Sequence, residues 1–157
     1  MAERAKAWVL DVGAPFLIAI SEHEMVEVLE TPERHLVPRG PDFCQHVAIR
    51  HNEVIPLLDL SRLQPQAAAA SAVNPTLTPY TVILAYQTTS GAMVSRAGLL
   101  IRKAPKGIAV GDEMEVVPPS GIPSVWRTLM IACFEWERQP ILVPDLARLL
   151  VPLEPTE

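Results

Sequence analysis

The sequence predicts an all-β fold of two small barrels with short helical turns. Of its 157 residues, 16 are proline and seven are glycine. Proline interrupts helices but is accepted at strand edges and in turns, so this count disfavours long helices. The apolar stretches are short, and turn-forming residues separate them at the spacing typical of barrels. A chain of this length fits one domain, or two small units that share a core.

Composition and charge exclude several classes of protein. Apolar residues make up 49% of the chain, which is too many for a disordered protein. The formal net charge is −5, which argues against a nucleic-acid partner because phosphate contacts need clustered Lys and Arg. Cys44 and Cys133 lie in apolar stretches, where we expect free buried thiols. With no signal peptide pattern and no apolar run of about 20 residues, we expect a cytoplasmic protein that does not insert into a membrane.

The first half of the chain predicts two hairpins. Large apolar residues recur at every second position over 7–12 and again over 16–20, with a turn at 13–15 between them. Residues 43–49 and 54–58 form the second predicted hairpin. Between the hairpins, residues 22–30 fit a turn or short helix that leads into a strand. The proline-rich segment 31–41 predicts irregular structure.

The second half begins after a predicted alanine-rich linker at 65–79, where disorder and an extra helical turn both fit. A proline-rich break follows at 118–123, and a short helical segment closes the chain at 145–150. The predicted strands of this half are 80–86, 92–101, 107–110, 114–117, 129–135 and 141–143.

Residues 55–63 recur in pattern at residues 141–149. Ile, Asp, Leu, Arg and Leu match at equal spacing, and a hairpin turn precedes each copy. Both copies predict a strand, a capping aspartate and a short amphipathic turn. The repeat predicts two related subdomains, at about 12–75 and 76–140, with terminal segments exchanged between them.

The sequence contains no recognisable catalytic motif. There is no Gly-rich phosphate loop, no Gly-x-Ser-x-Gly and no His-Glu-x-x-His. Cys44, His46 and His51 lie close together, but metal sites need three or four converging ligands, and nothing else has ligand spacing. Asp59 and Asp145 are explained as helix caps. We therefore expect no catalytic residue, no metal site and no cofactor.

A short apolar strip predicts a binding surface instead. Met25, Val26 and Val28 alternate with or adjoin the carboxylates Glu24 and Glu27. Apolar strips with charged edges dock amphipathic helices, and methionine adapts to varied surfaces. The alternative is that these residues belong to the core, as we expect for at least one. A small barrel that binds a soluble ligand is the competing functional class.

Several stretches share their order and character with one known family: the hairpin 7–20, and residues 24–28, 46–51, 54–60, 98–101 and 145–150. Over nearly its whole length the chain resembles the CheW-like family of chemotaxis coupling proteins, as a divergent member. His46 and His51 stand where the family pattern has glycines on either side of Asn-Leu-Arg.

This resemblance implies a fold of two five-stranded SH3-like barrels packed on a shared core. It also implies a non-enzymatic adaptor in two-component signal transduction. The implied partners are the cytoplasmic tip of a chemoreceptor and the regulatory domain of a CheA-type histidine kinase. The resemblance leaves three pathways open for this adaptor: flagellar chemotaxis, pilus-driven motility and another kinase array.

The resemblance also implies where partners bind. Arg50 matches the arginine of Asn-Leu-Arg, and Glu27 matches the acidic residue of the family's Val-x-Glu-Ile. We expect an ion pair between them, beside a receptor groove lined by Met25 and Val28. An ordinary hairpin arginine is the alternative for Arg50. The implied kinase contact lies near residues 36–43, with Pro38, Pro41 and Phe43 as its apolar contributors; the alternative for Phe43 is a place in the core.

Overall fold

The structure is a computed structural model that describes residues 4–13, 16–30, 33–37, 43–63, 79–87 and 94–149. In this part of the chain, eleven strands form two sheets, which confirms the all-β prediction. The strands are β1 (Ala5–Leu10), β2 (Leu17–Ser21), β3 (Met25–Glu30), β4 (His35–Leu36), β5 (His46–Arg50), β6 (Glu53–Leu58), β7 (Tyr80–Gln87), β8 (Val94–Ile101), β9 (Lys106–Val110), β10 (Met130–Trp136) and β11 (Gln139–Pro144).

Among the described residues, helical structure is limited to short segments of three to six residues between or after the strands. Two segments are α-helical, α1 (Ser124–Leu129) and α2 (Leu146–Leu149). Short 3₁₀ turns occur at Glu22–Glu24, Leu60–Arg62 and Asp112–Met114. The first of these is fixed by a capping box: Ser21 accepts a hydrogen bond from the His23 amide, and Glu24 accepts one from the Ser21 amide.

The two sheets have the same internal order. Sheet 1 runs β10-β11-β2-β1-β9, and sheet 2 runs β5-β6-β8-β7-β3 with β4 added beyond β5. Each sheet consists of two hairpins joined through a parallel pair, β11 with β2 and β6 with β8. An antiparallel strand, β9 or β3, then completes each sheet. The five-stranded plan predicted for each barrel is therefore present twice, with the two-residue β4 as an extra edge strand.

The sequence repeat occupies corresponding places in the two sheets. In each copy the aspartate follows a strand, β6 or β11, and its amide donates to a carbonyl just before the preceding hairpin. Asp59 donates to Phe43 and Asp145 donates to Leu129, at 2.8 and 2.7 Å. Their carboxylates then accept hydrogen bonds from amides of the following helical turn. The capping role predicted for both aspartates is confirmed.

Both hairpins also turn in the same way. The central residues of the β5–β6 turn have φ values of 51° and 63°, and those of the β10–β11 turn have 50° and 63°. Two consecutive residues with positive φ match the right-handed twist of an antiparallel pair. Neither turn contains glycine; the residues are His51 and Asn52 in one, and Glu137 and Arg138 in the other.

Whole hairpins are exchanged between the two halves of the chain. The N-terminal hairpin β1–β2 joins β9–β11 in sheet 1, and β7–β8 joins β3–β6 in sheet 2. The division into subdomains at about 12–75 and 76–140 with exchanged terminal segments stays a prediction. Each half of the chain contributes strands to both sheets.

The main apolar core lies between the two sheets. It combines residues from both exchanged hairpins with Trp126 of α1, which is fully buried and packs edge-on against Phe16 at 4.8 Å between ring centres. Cys44 and Cys133 are free and buried, as predicted. Each sheet adds a small cluster of its own, formed by Val9, Ala19, Phe134 and Ile141 in sheet 1, and by Ala48, Leu57 and Leu100 in sheet 2.

Three local predictions differ from the structure. The segment 114–117, predicted as a strand, completes a 3₁₀ turn and makes one isolated bridge, from Glu115 to Phe134. The segment 31–41 contains the short strand β4. Helix α1 was not predicted, because the proline run before it indicated only a break; Pro123 instead stands at its N-cap. The linker at 65–79 lies almost wholly outside the described residues.

Gly98 marks the tightest packing within sheet 2. A Cβ atom at this position would lie 2.6 Å from Leu57 Cδ2 and 2.9 Å from Thr81 Cγ2. We expect Gly98→Ala to lower the free energy of unfolding by about 1–3 kcal/mol, because the interior has no room for the methyl group. Chemical denaturation measures this effect.

Gly121→Ala is the matched control, because nothing lies within 4 Å of the position that its methyl group would take. We expect it to change stability by less than about 0.5 kcal/mol. Equal stability of the two variants would contradict this account of the sheet 2 interior.

Candidate functional site

Four charged side chains gather at one end of sheet 2. They come from four different strands: Glu27 from β3, Arg50 from β5, Glu53 from β6 and Arg96 from β8. Arg50 and Glu53 are cross-strand partners on either side of the β5–β6 turn. Arg96 Nη1 lies 3.2 Å from Glu53 Oε2. The charges alternate in sign, so each carboxylate faces a guanidinium.

The predicted ion pair between Glu27 and Arg50 is present and is bidentate. Arg50 Nε donates to Glu27 Oε1 at 2.9 Å, and Nη2 donates to Oε2 at 3.1 Å. The strands β3 and β5 are not neighbours in the sheet, since β7, β8 and β6 lie between them in the hydrogen-bonded order. Sheet 2 must therefore curl until its β3 edge approaches β5. The ion pair connects the two sides of the resulting seam.

The pair holds Glu27 in its charged form. Hydrogen bonds from Arg50 are the main reason that the pKa of Glu27 falls below its ordinary value, with smaller contributions from the charges of Arg50, His51 and Arg96. Both side chains stay partly exposed, at 41% for Arg50 and 30% for Glu27. The two-point contact fixes the plane of the guanidinium at a surface that a partner can reach.

Sheet 1 is closed at the corresponding position by different chemistry. Trp136, like Arg50, is the last strand residue before its hairpin turn, and Lys106 lies on β9, the strand that corresponds to β3. The Lys106 ammonium lies 4.8 Å from the centre of the Trp136 ring and 3.8 Å from the Glu137 carboxylate. Sheet 1 is thus closed here by a cation–π contact and a long, single-point ion pair, with no bidentate pair like that of Glu27 and Arg50.

Met25 and Val28 do not line the cleft beside the ion pair. Side chains of β3 alternate, with Met25, Glu27 and Leu29 half-buried and Val26 and Val28 exposed. Met25 packs against the shared core. Val28, 40% exposed, lies on the opposite face of the strand from Glu27. The receptor groove lined by Met25 and Val28 stays a prediction, with Glu27 and Val28 on opposite faces of β3.

The cleft beside the ion pair has a volume of about 520 Å³. It lies between β3 on one side and β5 on the other, at the seam of sheet 2. Its lining residues are Leu29, Glu30, Glu33, His35, Ala48, Ile49 and Arg50.

An exposed apolar pair, absent from the predicted site, lies next to the charged cluster. Ile49 and Val54 are cross-strand partners on the β5–β6 hairpin and are 60% and 62% exposed. Glu135 and Pro140 pair at the corresponding place on the β10–β11 hairpin. The apolar character is therefore specific to sheet 2. The sequence contained a signal for this apolar pair, since Ile49 directly precedes Arg50 and Val54 directly follows Glu53. Strand alternation places neighbouring residues on opposite faces, so both lie on the face opposite those charges.

A second recess lies where the two sheets meet. Its wall combines Tyr86 from β7, Ile131 from β10 and Leu146 from α2, with Glu24 at the rim. The volume of this recess is about 280 Å³. Ile131 is an apolar side chain of β10 that is 67% exposed. The recess corresponds in place to a groove between the barrels.

The predicted kinase contact is described only in part. Phe43 is half-buried, packs against the shared core and uses its carbonyl to bind the Asp59 amide. Leu36, on the edge strand β4, is 71% exposed. Pro38 and Pro41 lie outside the described residues.

The described residues contain no cluster of three or more His, Cys, Asp or Glu side chains arranged to hold a metal ion. Burial lowers the pKa of His46 and raises the pKa of Cys44, so both tend to stay uncharged. None of the helices in this part of the chain has the length and apolar character needed to cross a membrane.

The described residues thus form two linked sheets with an exposed charged cluster and an adjoining apolar surface. Among solved structures, the chain is similar to the scaffolding protein TtCheW from Thermoanaerobacter tengcongensis, with a TM-score of 0.68 and 16% sequence identity. The match covers 94% of this chain and 93% of that one, and it shows that the fold is CheW-like. No protein-family model matches the sequence, and no curated protein matches it.

The lowered pKa of Glu27 gives a direct test of the ion pair. We expect Arg50→Ala to raise the pKa of the Glu27 carboxyl toward its ordinary value, because its two hydrogen-bond donors are lost. Carbon-detected NMR titration of the side-chain carboxyl measures this shift. In the parent, the depressed pKa stabilises the fold above the ordinary pKa of 4.5, and this contribution disappears as pH falls through the lowered value.

Arg96→Ala is the matched control for this titration. Arg96 acts on Glu27 only through its charge, and its contribution is the smallest of those that lower this pKa. A shift in Arg96→Ala as large as that in Arg50→Ala would contradict a specific Glu27–Arg50 pair.

Proposed function

We propose that this protein is a non-enzymatic chemosensory scaffold that couples chemoreceptors to a CheA-type histidine kinase. The Glu27–Arg50 ion pair carries the proposal, because these are the two positions at which the family resemblance leads us to expect the receptor contact. The proposal places the protein in the cytoplasm, with no catalytic residue and no cofactor. Flagellar chemotaxis and a pilus-driven motility array are both compatible with it.

The chemistry of the seam supports a binding role for the pair. Sheet 1 closes with Lys106 against Trp136, so a bidentate ion pair is one of at least two ways to close such a sheet. An exposed ion pair contributes little to stability because water screens it. Its more useful property is a guanidinium of fixed orientation at the surface, ready to bind polar groups of a docked partner.

The exposed apolar residues supply the remaining contacts that a helical partner needs. Ile49 and Val54 lie beside the charged cluster, and Ile131 lies at the rim of the recess between the sheets. Protein interfaces combine a desolvated apolar centre with a polar rim. An amphipathic helical hairpin from a receptor tip fits this combination.

The kinase would contact a different part of the same sheet. Leu36 presents an exposed apolar side chain on the edge strand β4, and Phe43 is half-buried near it in sequence. Together with Pro41, these residues form our proposed surface for the regulatory domain of the kinase. The face of β3 that bears Val28 remains part of the proposed binding surface, separate from the ion pair.

The receptor site is tested with single and exchanged charges. We expect Arg50→Ala and Glu27→Ala each to weaken binding to a receptor cytoplasmic hairpin by about tenfold while melting cooperatively. The double variant Glu27→Arg with Arg50→Glu re-forms the pair with reversed polarity, and we expect it to fold but not to restore binding. Isothermal titration with the purified hairpin measures all three.

Lys106→Ala is the matched control, since it removes the corresponding closing contact from sheet 1. We expect it to bind the receptor hairpin like the parent. The site assignment is wrong if Arg50→Ala and Glu27→Ala stay folded and bind as tightly as Lys106→Ala.

The kinase surface is tested at two positions with different burial. We expect Leu36→Ser to weaken binding to the kinase regulatory domain with no change in melting temperature, because its side chain is 71% exposed. Phe43→Ala should weaken binding and also lower the melting temperature, since Phe43 packs against the core. Unchanged kinase binding by Leu36→Ser would remove β4 from the proposed surface.

A small-ligand-binding barrel is the competing function, and one observation favours it. Sheet 1 has an open cleft of about 590 Å³ whose wall mixes apolar residues with Lys6, Glu24 and Asp112. A metabolite bound at one molecule per chain after purification from native cytoplasm would support this function. Co-purification of a CheA-type kinase or a receptor would support the scaffold.

A further inference from the structure

Sheet 1 is open at the end away from the β10–β11 turn. A cleft of about 590 Å³ lies there, between the beginnings of β1 and β10 and the ends of β2, β9 and β11. Two of its lining residues, Ala19 and Phe134, belong to the interior cluster of sheet 1, so the cleft opens directly onto that interior. Phe134, where sheet 2 has Ala48, fills the middle of the interior and leaves the space at its end.

The first cause of this space is a cross-strand pair of small residues. Corresponding positions of the two sheets follow from the repeat, which matches residues 55–63 with 141–149, and from the strand registers. In sheet 2 the pair Thr81 and Leu100 fills this end, and both side chains are buried. Sheet 1 has Ala7 and Ser21 at the same two positions, and both are only half-buried.

The second cause is the neighbouring pair between β10 and β11. Sheet 2 pairs His46 with Leu57, which is 1% exposed. Sheet 1 pairs Ala132 with Val143 at these positions, and Ala132 is exposed although it lies on the face that carries the interior residues. All four positions thus carry smaller side chains in sheet 1. Protein interiors are normally filled to close packing, and an open cleft of this size is within the range of ligand pockets.

The charges on the lining indicate which ligand fits. Three carboxylates belong to it, from Glu24, Asp112 and Glu115. The one cation on the lining is Lys6, which alternates with Ala7 and therefore belongs to the opposite face of β1, where it also lines a second recess. The cleft combines an apolar wall with an acidic rim, so it attracts a cation that has an apolar part.

We propose that the open end of sheet 1 binds a small organic cation, a primary ammonium ion that carries a short apolar tail. The tail packs against the apolar wall, and the ammonium group binds the carboxylates of Asp112 and Glu115. Three lining residues, Glu24, Ile131 and Val143, also line the recess between the sheets, so the ligand reaches the rim of that recess. This site goes beyond the scaffold function and does not depend on it.

The test uses the full chain and hexylammonium as the probe. We expect hexylammonium to shift the amide NMR signals of Ala7 and Ala132, with saturation at one molecule per chain. Hexanoate has a similar tail and the opposite charge, whereas methylammonium has the charge without the tail. We expect each of these two controls to bind at least about tenfold more weakly, because the proposed site needs both parts of the ligand.

Charge variants test the acidic rim. Asp112 and Glu115 are both exposed, so we expect Asp112→Asn with Glu115→Gln to keep the fold and to weaken hexylammonium binding about tenfold. Glu135→Gln is the matched control, because alternation places Glu135 on the face of β10 opposite Phe134, outside the cleft. We expect Glu135→Gln to bind like the parent.

A filling variant tests the cleft itself. Ala7→Leu places extra methyl groups in the space, and we expect it to abolish the shifts, whereas Ala109→Leu adds the same groups on the exposed face of β9 and should bind like the parent. Melting curves show which variants fold. Equal affinity for hexanoate and hexylammonium, or parent-like binding by a folded Ala7→Leu, overturns the proposal. If Ala7→Leu does not melt cooperatively, parent-like binding by the variant of Asp112 and Glu115 overturns it.

Discussion

The shared core between the sheets is the constraint on which the structure depends. Among the described residues, twenty buried side chains belong to this core, whereas the interior clusters of sheet 1 and sheet 2 contain four and three. Neither sheet buries enough apolar surface to be stable alone, because small units keep a large fraction of their surface in water. The exchange of hairpins forces the two sheets together, since each half of the chain is already part of both.

Because the two sheets have the same plan, the differences between them indicate which features serve function rather than folding. The sheets share strand order, turn geometry and aspartate caps, so a feature found in only one of them is not required by the fold. Where sheet 2 has the Glu27–Arg50 pair, sheet 1 has Lys106 against Trp136. Where sheet 2 has the apolar pair Ile49 and Val54, sheet 1 has Glu135 and Pro140. Both differences fall on the same hairpin and its seam, which is where we place the partners.

The sequence predicts those parts of the structure that depend on neighbouring residues. Period-two alternation, the turns and the repeated aspartate identify most strands and both caps. The repeat and the family resemblance predicted that terminal segments are exchanged, but not which strands pair. The pairing of Ile141 with Leu17 joins residues far apart in the chain and leaves no local pattern. Glu27 and Arg50 were connected only through the family resemblance. Alternation alone places Val28 on the face of β3 opposite Glu27.

The exchanged hairpin also imposes an order on folding during synthesis. All strands of sheet 2 lie between residues 25 and 101, so this sheet is complete before the last third of the chain leaves the ribosome. The hairpin β1–β2 is made first but reaches its final partners last, because β9, β10 and β11 end at Pro144. Until these strands are made, part of the shared core that buries Leu10, Ile18 and Ile20 is missing. This hairpin, which is translated before the other described strands, is thus among the last of them to be protected from aggregation and proteolysis.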